Sequence, residues 1–341
     1  MEVKVKMKKF LMIIIMSLIV CGLLFGTSLI ASAAGDKEEL LGSGMVIYMQ
    51  MGGTEGDPST LARTNGARAA AAHLGVKLIE QYSAWQSEKM INQFKEASAA
   101  SPDGIVIMGH PGEGAFEALV EEAVSRGIIV TSGNNPLPNL QMMYQDKGFG
   151  YAGADLHAGG YLTGLTMIKQ GLKSGDKALV YGLFSQEGRS KSPMGIVDAL
   201  EEAGLVVEKL DISPDVDSEA SLCIPILTAY LERNPDLKAI GTQHGNVTSN
   251  LMKVLEAAGK KPGEIITGGI DLSPATIEGI EKGYVSASFD QMLYLQGFLP
   301  VTQVVLAKKY NIPGLVINTG VGIATPQNIG ELKTLIEQGI R

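Results

Sequence analysis

Residues 265–274 read IITGGIDLSP. An apolar run with two glycines arrives at one carboxylate, Asp271, and the chain then turns at Ser-Pro into a helical pattern over 274–282. An acid before a helix ordinarily serves as its cap. Here Ser273 already offers a capping hydroxyl and Pro274 fits the first helical position. Asp271 is therefore left at the carboxyl end of a buried strand, where an unpaired carboxylate is costly unless something donates to it. It reads as a hydrogen-bond acceptor for a ligand.

Outward from this strand-turn-helix unit the same alternation recurs. Apolar runs at 44–50, 76–82, 104–109, 127–132 and 149–154 alternate with helix-length segments near 59–74, 87–100 and 114–126. A second series at 177–183, 205–211, 237–242, 264–270 and 284–289 alternates with segments near 156–172, 192–204, 218–233, 246–258 and 274–282. The runs are continuously apolar, as parallel strands covered on both faces require. The pattern predicts an α/β protein of two doubly wound parallel-sheet lobes with right-handed crossovers. One more helix at 299–310 and one more strand at 314–320 close the series.

Ligands of open α/β sheets sit beyond the carboxyl ends of the strands. Those positions hold Asp57, Trp85, His110 and Asn134 in the first lobe, and Arg189, His244, Asp271 and Gln291 in the second. The set is polar and mixed in charge, which suits a molecule with many hydroxyls. Bland readings stand beside this one. Trp85 and the two histidines could be packing, Arg189 a surface charge, and Asn134 with Asn135 turn formers before Pro136.

The whole chain has 341 residues, 45% hydrophobic and 6% aromatic, which fits two soluble domains. Its first 33 residues differ. Lys4, Lys6, Lys8 and Lys9 precede a long apolar run that ends at ASA, the pattern of a Sec signal peptide. A retained membrane anchor and lipid attachment at Cys21 are the alternatives. Cleavage after residue 33 removes four Lys and one Glu, and the remaining 24 basic and 35 acidic residues give about −11, which argues against nucleic acid as a partner. Cys223 is then the sole cysteine, so no internal disulfide is expected.

Enzyme signals are weak. GFGYAG at 148–153 enters a strand instead of leaving one, so no helix N-terminus stands behind it for a pyrophosphate. P-loop, HExxH, GxSxG and CxxC patterns are absent from the sequence. DVDSE at 215–219 lacks the turn glycine of a calcium loop and reads as a solvated helix start. No cofactor, metal or catalytic residue is expected.

GIVIMGHP, GIIVTSGN, YAGADLHAGGYLTG and GGIDLSPATIEGIEKGYVSASFDQ together resemble the type I periplasmic-binding-protein family, in particular its ribose-type sugar binders. The resemblance spans nearly the whole chain after the export segment. It implies a first lobe of 43–153 plus 292–317 and a second of 154–291 plus 318–341. Three strands would cross between them, near Ala154, at 291–292 and at 317–318. It further implies a neutral monosaccharide in the cleft, hinge closure, delivery to an ABC permease or a chemoreceptor, and a monomer outside the cytoplasm. Asp271 matches the family's sugar-binding aspartate and Gln291 its hinge-side glutamine. His244 stands where ribose binders carry asparagine, and Arg189 answers to an arginine before the next helix. Gly133 and Asn134 replace an Asp-Arg pair, and DPST at 57–60 replaces two phenylalanines, which argues against ribose itself. A repressor-type regulator of the same lobes would need a helix-turn-helix and a basic face. A glycosidase would need two facing carboxyls, with Asp271 and either Asp290 or Asp57 as the available pairs.

Overall fold

The strands form where the apolar runs are covered on both sides. A computed structural model describes residues 39–341 except 58–59, 187 and 321. The expected export segment at 1–33 and Cys21 lie outside the described residues. In chain order the strands are β1 (Val46–Gly52), β2 (Lys77–Tyr82), β3 (Gly104–Met108), β4 (Ile129–Gly133), β5 (Tyr151–Gly153), β6 (Lys177–Gly182), β7 (Val206–Asp211), β8 (Leu237–Thr242), β9 (Ile266–Ile270), β10 (Ala287–Asp290), β11 (Val316–Asn318) and β12 (Gly322–Ala324). One six-stranded sheet runs β11-β5-β4-β3-β1-β2 and the other β12-β10-β9-β8-β6-β7. Every pairing is parallel except that of β10 with β12. The architecture is the two-lobed α/β one, and the chain passes between sheets three times, after β5, β10 and β11.

Alternation within each strand feeds two cores per sheet. Ile105 and Ile107 pack with Phe94 and Phe116, while Val106 between them packs with Met49, Val301 and Val304. In the second lobe Leu179 and Tyr181 join one cluster, and Ala178 and Val180 the opposite one. Both sheets are thus covered on both faces by helices.

The helices are α1 (Leu61–Leu74), α2 (Ser87–Ala99), α3 (Glu113–Ser125), α4 (Pro138–Tyr144), α5 (Leu156–Ile168), α6 (Lys191–Glu202), α7 (Pro214–Ser218), α8 (Cys223–Arg233), α9 (Gly245–Thr248), α10 (Leu251–Ala257), α11 (Pro274–Glu281), α12 (Leu293–Tyr310) and α13 (Ile329–Glu337). The helix expected at 218–233 is divided, because Ser213 caps α7 through Val216 N and a 3-10 turn at 220–222 precedes α8. The one expected at 246–258 is likewise two, α9 and α10. α12 begins at Leu293 and runs through Pro300, a residue that reads as a first-turn signal. Burial of Gln296, Gly297, Pro300, Val301 and Val304 overrides that local preference. β12 and α13, beyond the expected series, complete the second lobe.

Candidate functional site

The carboxyl ends of the two sheets face each other around a cavity of about 40 Å³. Trp85, His110, Asn134, Arg189, His244, Asp271 and Gln291 line it, joined by Arg63, Leu156, Gln243, Gly245 and Ile270. Asp57 does not line it. Its Oδ2 accepts from Thr54 N at 2.9 Å and its carbonyl accepts from Thr60 N and Leu61 N, so it is spent on building the loop that leads into α1.

The first lobe's wall is organised by Trp85. Gly52 and Gly53 leave room for the indole, since a Cβ on either would meet the ring, and the Trp85 backbone N–H donates to Gly52 O at 3.2 Å while the indole Nε1 is buried without a partner. The His110 ring stands edge-on at 5.2 Å, and the guanidiniums of Arg189 and Arg63 lie 5.3 and 5.9 Å from the indole centroid. Arg63 is 1% exposed. Its Nη1 donates to Met51 O at 2.7 Å, while its Nε is buried without a partner, as is His110 Nδ1. Burial lowers the Arg63 pKa to about 10, and Asp271 acts to raise it. Burial, and then the charges of Arg189 and Arg63, hold His110 well below its usual range, so this imidazole is neutral.

In the second lobe Arg189 grips Asp217 with both ends of its fork, Nη1 to Oδ2 at 2.7 Å and Nη2 to Oδ1 at 2.8 Å. The solvated helix start expected at 215–219 is corrected here: Asp217 is 9% exposed and turned inward. His244 joins the same carboxylate. Its Nδ1 accepts from Asn246 N at 3.2 Å, which leaves the proton on Nε2, donated to Asp217 Oδ1 at 2.8 Å. Burial pushes Asp217 upward, but the hydrogen bonds from His244 and Arg189 outweigh it and hold the carboxyl well below the usual range.

Asp271 closes the wall, and the cap lies where the sequence places it, with Ser273 Oγ accepting from Thr276 N at 3.1 Å. The Asp271 carboxylate is 8% exposed, and Oδ1 accepts from Gln291 Nε2 at 2.8 Å. Burial pushes its pKa up to about 6, against the opposing effects of the Gln291 bond and of Arg63. Gln291 is also the link across the lobes. Its Oε1 accepts from Asn134 Nδ2 at 3.4 Å, and its carbonyl accepts from Gln296 Nε2 at 3.1 Å and Thr319 Oγ1 at 2.8 Å. Two of the three passages between the sheets are thereby tied together at the cavity floor.

The backbone is strained in the same place. Among the described residues, the non-glycine positions with left-handed φ include Ala84, Trp85, Asn134, Asp271 and Met292, all at or beside the cavity. At Asp271 (φ 67°) the conformation is held by bonds from its N to Phe289 O at 2.8 Å and from Ser288 Oγ to its own carbonyl at 2.7 Å. Sequence reasoning missed Arg63 and Asp217. The signal for Arg63 was available, since a cation in a helix's first turn runs against the helix dipole. Asp217 carried no such signal, because an acid after Ser-Pro is the ordinary composition of a first turn. No group of three or more His, Cys, Asp or Glu among the described residues is placed to hold a metal ion.

Residues 51–310 match the family profile described as the periplasmic binding protein domain. The xylose/arabinose-binding protein of Sulfolobus acidocaldarius is 27% identical over 250 residues, covering 70% of this chain and 61% of that relative's length, less than two thirds of it. Among solved structures, a carbohydrate transporter from Acidothermus cellulolyticus in complex with myo-inositol superposes with a TM-score of 0.73 at 20% identity, over 87% of this chain and 99% of its own. An ABC transporter solute-binding protein from Burkholderia graminis in complex with D-arabinose gives 0.73 at 22% identity, over 84% and 97%. A galactofuranose-binding protein gives 0.74 at 18% identity, over 87% and 100%.

Proposed function

The chain belongs to the periplasmic binding protein domain family, and from that premise we propose that it is the extracytoplasmic solute-binding protein of an ABC importer. It holds a neutral monosaccharide, a pentose, hexose or deoxyhexose, between its lobes and delivers it to the permease. The observation that carries this reading is the cavity's mixture of groups. Asp271 accepts, Arg63 and Arg189 donate, and Leu156 and Ile270 offer apolar surface to a sugar's C–H face. A hydroxyl both donates and accepts, so a ring bearing several can meet all of these at once. The ligands named for the superposed structures, myo-inositol and D-arabinose, are uncharged polyhydroxylated molecules. Trp85 already carries both guanidiniums, and its part is to hold them in place. Asp217 and His244 act behind Arg189, fixing its fork.

The work is binding and release without turnover. Glycoside hydrolysis needs two available carboxyls across one bond. Asp290 accepts from Met292 N at 2.7 Å and from Arg341 Nε at 2.9 Å, and Asp57 is engaged in its own loop. No helix among the described residues is long and apolar enough to cross a membrane, and export rests on the segment at 1–33. The test is a thermal-shift screen against pentoses, hexoses, deoxysugars and polyols. A ligand at a hundred times its dissociation constant stabilises by about 2.7 kcal/mol. A flat response across the whole panel would remove the proposal.

A further inference from the structure

We propose that Arg63 sets the charge selectivity of the cavity: with Asp271 it forms a balanced pair, one charge on each lobe, that admits uncharged sugars and discriminates against sugar acids. The inference rests on the binding function proposed above and adds what the site rejects.

Several charges around the cavity are already compensated. Arg189 is held by Asp217 through two hydrogen bonds, at 2.7 and 2.8 Å. His244 spends Nε2 on the same Asp217 and Nδ1 on Asn246 N. Asp290 is paired with Arg341. Two charges remain. Arg63 bonds a backbone carbonyl, that of Met51, and leaves its Nε buried without a partner. Asp271 is bonded by the neutral amide of Gln291. Among the described residues neither takes part in an ion pair within 4.0 Å.

Arg63 projects from α1 in the first lobe and Asp271 follows β9 in the second, and both line the same cavity. Each acts electrostatically on the other across it. A neutral sugar between them presents oxygen lone pairs to the guanidinium and O–H groups to the carboxylate, and the pair stays balanced. A ligand carboxylate would add a third charge to a desolvated site that already holds Asp271, leaving one negative charge uncompensated. The other groups in contact are neutral or internally paired and offer no relief.

The experiment uses calorimetric titration of the exported protein with D-xylose, D-arabinose and D-galactose against D-xylonate, D-arabinonate and D-galacturonate, with melting curves as a folding control. At least one aldose is expected to bind, with its matched acid at least about tenfold weaker. Arg63→Gln is expected to weaken the aldose by about tenfold to a hundredfold, the usual effect of losing a hydrogen bond to a charged group. Arg63→Lys should restore part of that loss. Asp271→Asn leaves the cavity with one net positive charge and should reverse the preference toward the acid. That last variant decides the matter even if Arg63→Gln fails to fold. Unchanged aldose affinity in a folded Arg63→Gln protein overturns the proposal, as does a wild-type protein that takes an acid as tightly as its aldose. Failure of every sugar to bind is a different result, which removes the binding function itself and this inference with it.

Discussion

Asp271 joins a left-handed backbone, near-complete burial and a carboxyl pushed up to about 6. Each of these opposes folding of the free protein. The linkage sign follows from the raised pKa: between the ordinary carboxylate value and about 6 the folded state holds a proton that the unfolded state has released. Stability from this group is therefore fully present below pH 4 and declines as pH rises through about 6. Asparagine keeps the shape, tolerates the left-handed region and still accepts from Gln291. Asp271→Asn should accordingly melt higher than wild type at pH 7, by up to roughly 3 kcal/mol, with the difference vanishing near pH 4. It should lose the thermal response to a neutral sugar. A variant that melts lower at pH 7 would assign Asp271 a structural role. At this scale the sequence was legible where position alone decides: Asp271 and Gln291 stand at strand ends, and the Ser-Pro cap frees the acid. Arg63 stood out only as a cation in the first turn of an alanine-rich helix, and that its side chain is buried towards the cavity follows from the packing.

Arg63 reaches the cavity because α1 and α12 pack backbone to backbone. Gly66 lies against the carbonyl of Tyr294, and a Cβ on Gly297 would come within 2.7 Å of Ala67 N and 2.9 Å of Arg63 C. The close approach seats Arg63 between the sheet and the neighbouring helix, with its guanidinium on Met51 O. Gly297→Ala should push the helices apart and shift Arg63 with them. Overpacking of this kind costs typically about 1–3 kcal/mol, so a lowered melting temperature together with weakened sugar binding is expected. Full-strength binding in that variant would show that Arg63 does not depend on this contact. Element boundaries were the least legible feature of the sequence. Pro300 masked the start of α12, three-residue β12 is too short to carry a pattern, and the inward turn of Asp217 divides what reads as one helix into α7 and α8. What fixes these features is contact with distant residues, namely β10 for β12, and Arg189 and His244 for α7.

The whole molecule works only if the lobes can meet, and one glycine sits at the meeting line. Gly188, in the second lobe, lies against the Asn135 side chain of the first, and a Cβ there would fall 2.8 Å from Asn135 Cγ and overlap the amide nitrogen. The added methyl opposes the closed arrangement specifically, since each lobe's own core is untouched. Gly188→Ala should therefore leave the ligand-free melting temperature close to wild type while lowering the closed fraction. If that fraction falls to about one molecule in ten, apparent sugar affinity drops about tenfold, because binding to an under-populated competent state is reduced by its population. Small-angle scattering at a sugar concentration that half-saturates the wild type should show a larger radius of gyration than wild type. Adding Asn135→Ala to Gly188→Ala deletes the amide that the methyl meets, and should restore both compactness and affinity. An alanine at 188 that closes and binds as wild type does would place the meeting line elsewhere, and with it the hinge travel that loads and releases the ligand.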